Sequence, residues 1–261
     1  MILKNNIGIF QGRLSDSMQL QKFPEDWKKE LFIAKCLSFS YVEFFLEEKI
    51  NNNNPFWSKK SRNEIKYLIK KNFNSKNFLL CDNYIIKNNL YKYKTCLYLI
   101  KILKILREFD SSVLVLPINS LYFNDISKLS IFFKKLFKNK SKKIQILFEV
   151  DTDAKKIINF LNLLENNECG ITFDIGNIYL KNYSIINFFK SIKKFVKHIH
   201  IKDRNKNGDN VKLGTGLINF KSFFHFLKNQ NYNYFITLET FRKNNAVIAG
   251  FENLQFIKSL T

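Results

Sequence analysis

No two of the four cysteines, Cys36, Cys81, Cys96 and Cys169, stand in a CxxC spacing, which removes zinc knuckles and thioredoxin-like redox motifs from consideration. Scattered in this way they read as reduced thiols, in the core or near the surface, of a cytoplasmic protein. No uninterrupted apolar run approaches the roughly 18 residues that a membrane span requires. The N-terminal MILKNNIGIF carries one lysine and no sustained apolar h-region. A soluble, intracellular chain without a membrane partner is therefore expected. A Gly-rich dinucleotide fingerprint is also missing after the first strand-like segment, NIGIFQG, which weakens a doubly wound open sheet as the fold.

Acidic residues are scarce: 22 against 43 basic ones, leaving a formal charge of +21. Clustered lysine and arginine would point to a polyanion partner through counterion release. Here the lysines are dispersed and travel with Asn, Ile and Phe along the whole chain, as in a general compositional bias, so nucleic acid is disfavoured as a partner. The asparagine-rich stretches Asn51–Asn54 and Asn205–Asn210 read as loops.

With 261 residues and 46% hydrophobic content the chain can bury a substantial core as one α/β domain spanning residues 1–261. Strand and helix signals alternate about eight times. Strands are read at NIGIFQG, YVEFFL, NFLLCDNY and SSVLVLPIN, then at QILFEVD, GITFDIG, VKHIHIKD and FITLETF. Helices are read over Asp26–Leu37, over Arg62–Lys71, through Leu99, Ile102, Leu103 and Leu106, and through Ile131, Phe132 and Leu136. Others lie near 153–165, 184–194, 219–229 and 248–259, with Asn219 as an N-cap. This alternation argues a (β/α)8 TIM barrel, with the open sheet as the alternative.

In the last four strands the period of two places Gln145, Leu147 and Glu149 on one face, and likewise Thr172 with Asp174, His198 with His200, and Thr237 with Glu239. The opposite faces carry Ile and Phe or Leu. Glu149, Asp174, His200 and Glu239 each stand near a strand end, and in a parallel barrel those ends converge at the C-terminal mouth. Three carboxylates and an imidazole make a divalent-metal donor set, oxygen-rich enough for Mn or Mg and compatible with Zn or Co. His198 points inward one layer lower, suiting support of the site over ligation, and His225 falls off the apolar stripe of its helix. Glu43, inward on the second strand, could contact substrate or neutralise a nearby cation. Arg13, Lys202, Arg204 and Arg242 follow strand ends where a substrate would enter, and Gly214-Thr215-Gly216 could offer backbone N–H groups to an anion. These point to an anionic substrate.

Gln11-Gly12-Arg13-Leu14-Ser15, Asp174-Ile175-Gly176-Asn177, His200-Ile201-Lys202-Asp203 and Val211-Lys212-Leu213-Gly214-Thr215-Gly216, in this order, resemble the xylose-isomerase-like sugar phosphate isomerase/epimerase superfamily. The intervals agree too, with 25 residues from Glu149 to Asp174, 26 to His200 and 39 to Glu239. The resemblance implies that Glu149, Asp174, His200 and Glu239 bind one divalent ion (Mn, Mg, Co or Zn) and that Glu149 and Glu239 also shuttle protons next to a sugar carbonyl. It implies a small sugar or sugar phosphate as partner; homo-oligomerisation stays open. Asn177 stands where some of these epimerases carry a second active-site histidine. Two alternatives remain: a noncatalytic sugar-binding barrel, and a nuclease resembling endonuclease IV, whose zinc cluster needs more histidines than the three present.

Overall fold

The computed structural model of the chain describes residues 6–16, 20, 22–73, 77–138, 140–242 and 244–260, so the first five residues of the N-terminal segment weighed above lie outside it. Eight parallel strands close on themselves. In chain order they are β1 (Ile7–Phe10), β2 (Val42–Leu46), β3 (Asn77–Asp82), β4 (Ser111–Pro117), β5 (Ile144–Glu149), β6 (Cys169–Asp174) and β7 (Val196–Ile201). A short antiparallel ribbon of β8 (Asp203–Arg204) with β9 (Asn210–Val211) intervenes before the eighth barrel strand, β10 (Phe235–Leu238). β1 pairs with both β2 and β10, which completes the closure. The (β/α)8 barrel expected from the alternation is the fold.

Around the barrel run α1 (Trp27–Cys36), α2 (Lys59–Asn72), α3 (Tyr84–Lys87), α4 (Tyr93–Leu106), α5 (Ile126–Phe137), α6 (Ala154–Leu164), α7 (Ile175–Leu180), α8 (Ile185–Ile192), α9 (Phe220–Asn229) and α10 (Ala246–Leu260). Several begin on side-chain caps: Ser58 accepts from Ser61 N, Asp125 from Lys128 N, and Asn219, as read from the sequence, from Ser222 N. In α5 the buried stripe is Leu129, Phe133 and Phe137, with Phe132 and Leu136 packed part-buried against the core and Ile131 exposed. No helix among the described residues is long and apolar enough to cross a membrane.

Phenylalanine fills the layer between strands and helices. Phe148 on β5 packs 4.9 Å, ring to ring, from both Phe133 of α5 and Phe160 of α6, while Phe173 on β6 lies 5.2 Å from Phe189 of α8. Such rings supply large buried area at favourable edge-to-face angles.

One irregularity positions the site. Ile171 on β6 pairs with Val196, but Thr172 pairs with His198 and Asp174 with His200, so Lys197 is an extra residue in β7. Without that bulge the next partners would fall one residue earlier, and the two histidines would face the side of Phe173. The bulge turns both into the barrel, opposite Thr172 and Asp174. Gly170 stands beside it; a Cβ there would come 2.8 Å from Phe195 O.

Candidate active site

His200 sits at the centre, completely buried. Its Nε2 is 3.1 and 3.2 Å from the two carboxylate oxygens of Glu43. With Nε2–H donating to Glu43, Nδ1 is left facing the mouth, a division of roles common in metal-ligating histidines; burial opposes a charge on the ring, but Glu43 and Glu149 outweigh it and push its pKa well above the usual imidazole range while no ion is bound. There Nδ1 meets Glu149 Oε2 at 3.5 Å, Glu239 Oε2 at 3.5 Å and Asp174 Oδ2 at 4.0 Å. Nδ1 is buried without a hydrogen-bond partner, an expensive condition for a polar atom. A divalent ion would satisfy it, and three oxygens with one nitrogen suit such an ion; Glu149, Asp174 and His200 already bring ligand atoms within 4.8 Å of one another.

Glu43, His198 and His200 form a second close group, but its atoms are engaged with each other. His198 Nε2 lies 3.2 Å from Glu43 and 2.7 Å from Thr237 Oγ1, and His198 Nδ1 lies 3.2 Å from Thr172 Oγ1. Thr237 Oγ1 in turn lies 3.0 Å from Tyr41 OH. The tyrosine ring occupies the space a side chain at Gly8 would need. A buried hydrogen-bonded column thus runs from Tyr41 through Thr237, His198 and Glu43 to His200. Glu43 is completely buried beneath the histidines, so it is placed to orient imidazoles; of the two roles left open for it, substrate contact or pairing with a neighbouring cation, the geometry accords with the second. Burial opposes its charge, yet His200 and His198 together hold its carboxyl below the usual range.

The cations read as substrate binders are committed to the protein. Lys202 Nζ bridges Asp174 Oδ2 and Glu239 Oε2, 2.7 Å from each. Arg13 follows the left-handed turn at Gly12 (φ +84°). Its guanidinium donates to Leu20 O at 3.2 Å and lies 3.5 Å from Glu239. The turn is pinned by Glu30 of α1, which accepts from Gly12 N at 2.7 Å and Leu14 N at 3.0 Å. Arg204 donates to Gly208 O and to Asn177 Oδ1, and Arg242 donates to Ser15 O. Asn177 reaches Glu149 Oε1 at 3.2 Å. The Gly214-Thr215-Gly216 segment is not open to an anion: Gly214 N and Gly216 N donate to Asp203, and Thr215 N to Lys212 O. Asp203, quoted in the sequence motif but given no role there, also accepts from Arg204 N and Ile218 N; it is the clasp of that loop.

Burial pushes the Asp174 carboxyl up to about 6 against the pull of Lys202. Burial works in the same direction on Glu239, but Lys202, His200 and Arg13 outweigh it and hold that carboxyl down at about 2. Glu149 and Glu239 keep 13% and 12% of their side chains exposed, whereas Asp174 keeps 2% and His200 none. A cavity of about 200 Å³ opens beside them, lined by Ile86, Ile118, Asn119, Glu149, Asp174 and Asn177 among other described residues.

Residues 138–260 match the family model described as xylose isomerase-like TIM barrel. No curated protein matches the sequence. Among solved structures, D-psicose 3-epimerase of Clostridium cellulolyticum H10, crystallised with D-tagatose, superposes with TM-score 0.76 at 15% identity, covering 98% of this chain and 99% of that one. The probable 3-DHS dehydratase of Bacillus anthracis gives TM-score 0.72 at 13% identity over 97% and 98%. A xylose isomerase-like TIM barrel protein of Mycobacterium smegmatis, in complex with magnesium, gives 0.66 at 12% identity over 98% and 96%. At these identities the likeness is one of fold.

Proposed function

On a xylose isomerase-like TIM barrel with this mouth, we propose that the chain is a metal-dependent isomerase or epimerase of a small sugar, moving a proton next to a carbonyl with Glu149 and Glu239. The observation that carries this reading is the unequal exposure of the four converging groups. His200 is closed off and Asp174 nearly so, while the two glutamates keep more surface at the mouth, 13% and 12%, where a substrate would meet them. A divalent ion held by Glu149, Asp174, His200 and Glu239 would supply the electrophile that steadies negative charge developing on the substrate oxygen.

The chain's own residues set the proton chemistry. Glu239, with the Arg13 guanidinium 3.5 Å from its carboxylate, takes the proton alpha to the carbonyl. Glu149, fixed by Asn177, is the partner that returns one. Return to the neighbouring carbon is isomerisation; return to the opposite face of the same carbon is epimerisation. The cavity is of monosaccharide size. Against the nuclease alternative, two histidines lie in the barrel, and the third, His225, is exposed on α9 beside Asn229, as its place off the apolar stripe implied.

The test is solvent exchange. Ketoses incubated with the Mn-loaded protein in deuterated water should gain deuterium at the carbon beside the carbonyl. Glu239→Gln and Glu149→Gln should each slow this by about 10²–10⁴-fold while still binding the ion. Undiminished exchange in either variant removes that residue from the mechanism. Retained sugar binding with no exchange in the wild type would put the noncatalytic barrel in its place.

A further inference from the structure

Lys202 stands at the exit of β7, and its ammonium lies 2.7 Å from Asp174 Oδ2 and 2.7 Å from Glu239 Oε2. These are the same two oxygens that face His200 Nδ1. The side chain is 7% exposed, and its stem runs across Gly176, in the first turn of α7, where a Cβ would collide with Lys202 Cγ and Cδ. The lysine therefore has a built seat that delivers its charge between two buried carboxylates. Left alone, such carboxylates repel one another in a low-dielectric site. An ammonium is a compact point charge on a flexible stem, able to occupy such a position and to leave it.

We propose that Lys202 is a tethered counter-ion of the site: its Nζ holds Asp174 and Glu239 in the metal-free protein, and a divalent cation binds by displacing it. This rests on the metal-dependent reading above and adds to it a competitor carried by the chain itself. Apparent metal affinity is then set by an exchange of one cation for another and not by filling of a vacant cage. The barrel keeps its carboxylates neutralised while it waits for the ion.

The experiment is titration with Mn²⁺ alone, by calorimetry, of the full chain and of Lys202→Met, with thermal unfolding of both in chelator and in saturating Mn²⁺. Lys202→Met should bind Mn²⁺ at least tenfold more tightly. It should melt below the wild type in chelator and lose that deficit when loaded. Gly176→Ala, which keeps the ammonium but crowds its stem, should shift affinity in the same direction. Arg13→Met removes a charge 3.5 Å from Glu239 but outside the carboxylate pair; it reports the through-space part and should gain less. Wild-type binding with an equal or weaker Lys202→Met overturns the proposal and leaves the metalloenzyme reading standing, as does a melting deficit that is the same with and without Mn²⁺. Absence of binding in both proteins removes the metal-dependent reading and the displacement together.

Discussion

The inner wall formed by β3, β4 and β5 presents Leu79, Cys81, Val113, Val115 and Leu147, in register with one another and, through Leu79, with Glu43. The wall formed by β6, β7 and β10 presents Thr172, His198, His200 and Thr237. Both walls are buried, yet they are held by different physics. The apolar wall needs only complementary volume, and each side chain in it contributes by leaving water. The polar wall is tolerable only because its groups satisfy each other in a chain from Tyr41 to His200, and it ends in one atom, His200 Nδ1, that the protein leaves unsatisfied. One half of the interior carries stability; the other carries the groups on which the proposed chemistry rests, in a surrounding whose low polarity strengthens each of their electrostatic contacts.

Substitutions that touch one wall should leave the other's property intact. Leu147→Ala opens a cavity in the apolar wall and should destabilise the fold by about 2–5 kcal/mol, measured by urea unfolding, while Mn²⁺ affinity stays within a few-fold; loss of affinity in step with stability would dissolve the distinction. The next effect concerns two buried aspartates at strand ends. Asp174 faces Lys202, whereas Asp82 on β3 has a hydroxyl donor from Tyr98 and an amide from Tyr84, and burial pushes its carboxyl from 3.8 to about 7. Its neutral form is favoured in the folded state. Stability is therefore fully present below about pH 4, declines as pH rises toward 7, and is flat above that. Asp82→Asn should remove this decline, gaining up to about 4 kcal/mol on the wild type between pH 4 and pH 8; parallel stability curves for the two proteins would contradict the assignment.

Within the polar wall, Glu43→Gln should weaken Mn²⁺ binding by about 10–100-fold, because the amide no longer fixes the His200 tautomer; calorimetry reads this directly, and an unchanged affinity would return Glu43 to a packing role. Thr237→Val, which keeps shape and removes the hydroxyl shared by Tyr41 and His198, should cost about 1 kcal/mol of stability. A neutral effect would mean that the column does not act as a connected unit.

Much of this was legible in the sequence. Alternation of strand and helix, and the inward period of two, carry the barrel and the convergence of Glu149, Asp174, His200 and Glu239 without long-range information. What was not legible depended on partners far along the chain. Glu43 stayed open between substrate contact and pairing with a cation because its acceptor role depends on His200, 157 positions away. A signal existed: a single carboxylate on an inward face amid YVEFFL must find a donor once buried, and the inward pair on β7 was the available one. Lys202 and Arg204 looked free because charge and position in a loop do not say which acceptor a long side chain takes. The two glycines at 214 and 216 suggested an anion site, but Asp203 had already claimed their N–H groups. Helix α7 was missed because Asp174, read as the end of a strand, is also its cap, accepting from Asn177 N at 2.8 Å.

The proposed function stands on His200 Nδ1 and three carboxylates acting as one divalent-ion site. Elemental analysis of the purified protein and of His200→Ala, at matched folding, tests it most directly. The account predicts about one divalent ion per chain in the wild type, or uptake of one from added Mn²⁺, and none in the variant. A wild type that takes up no ion, or a variant that holds it equally well, would contradict it.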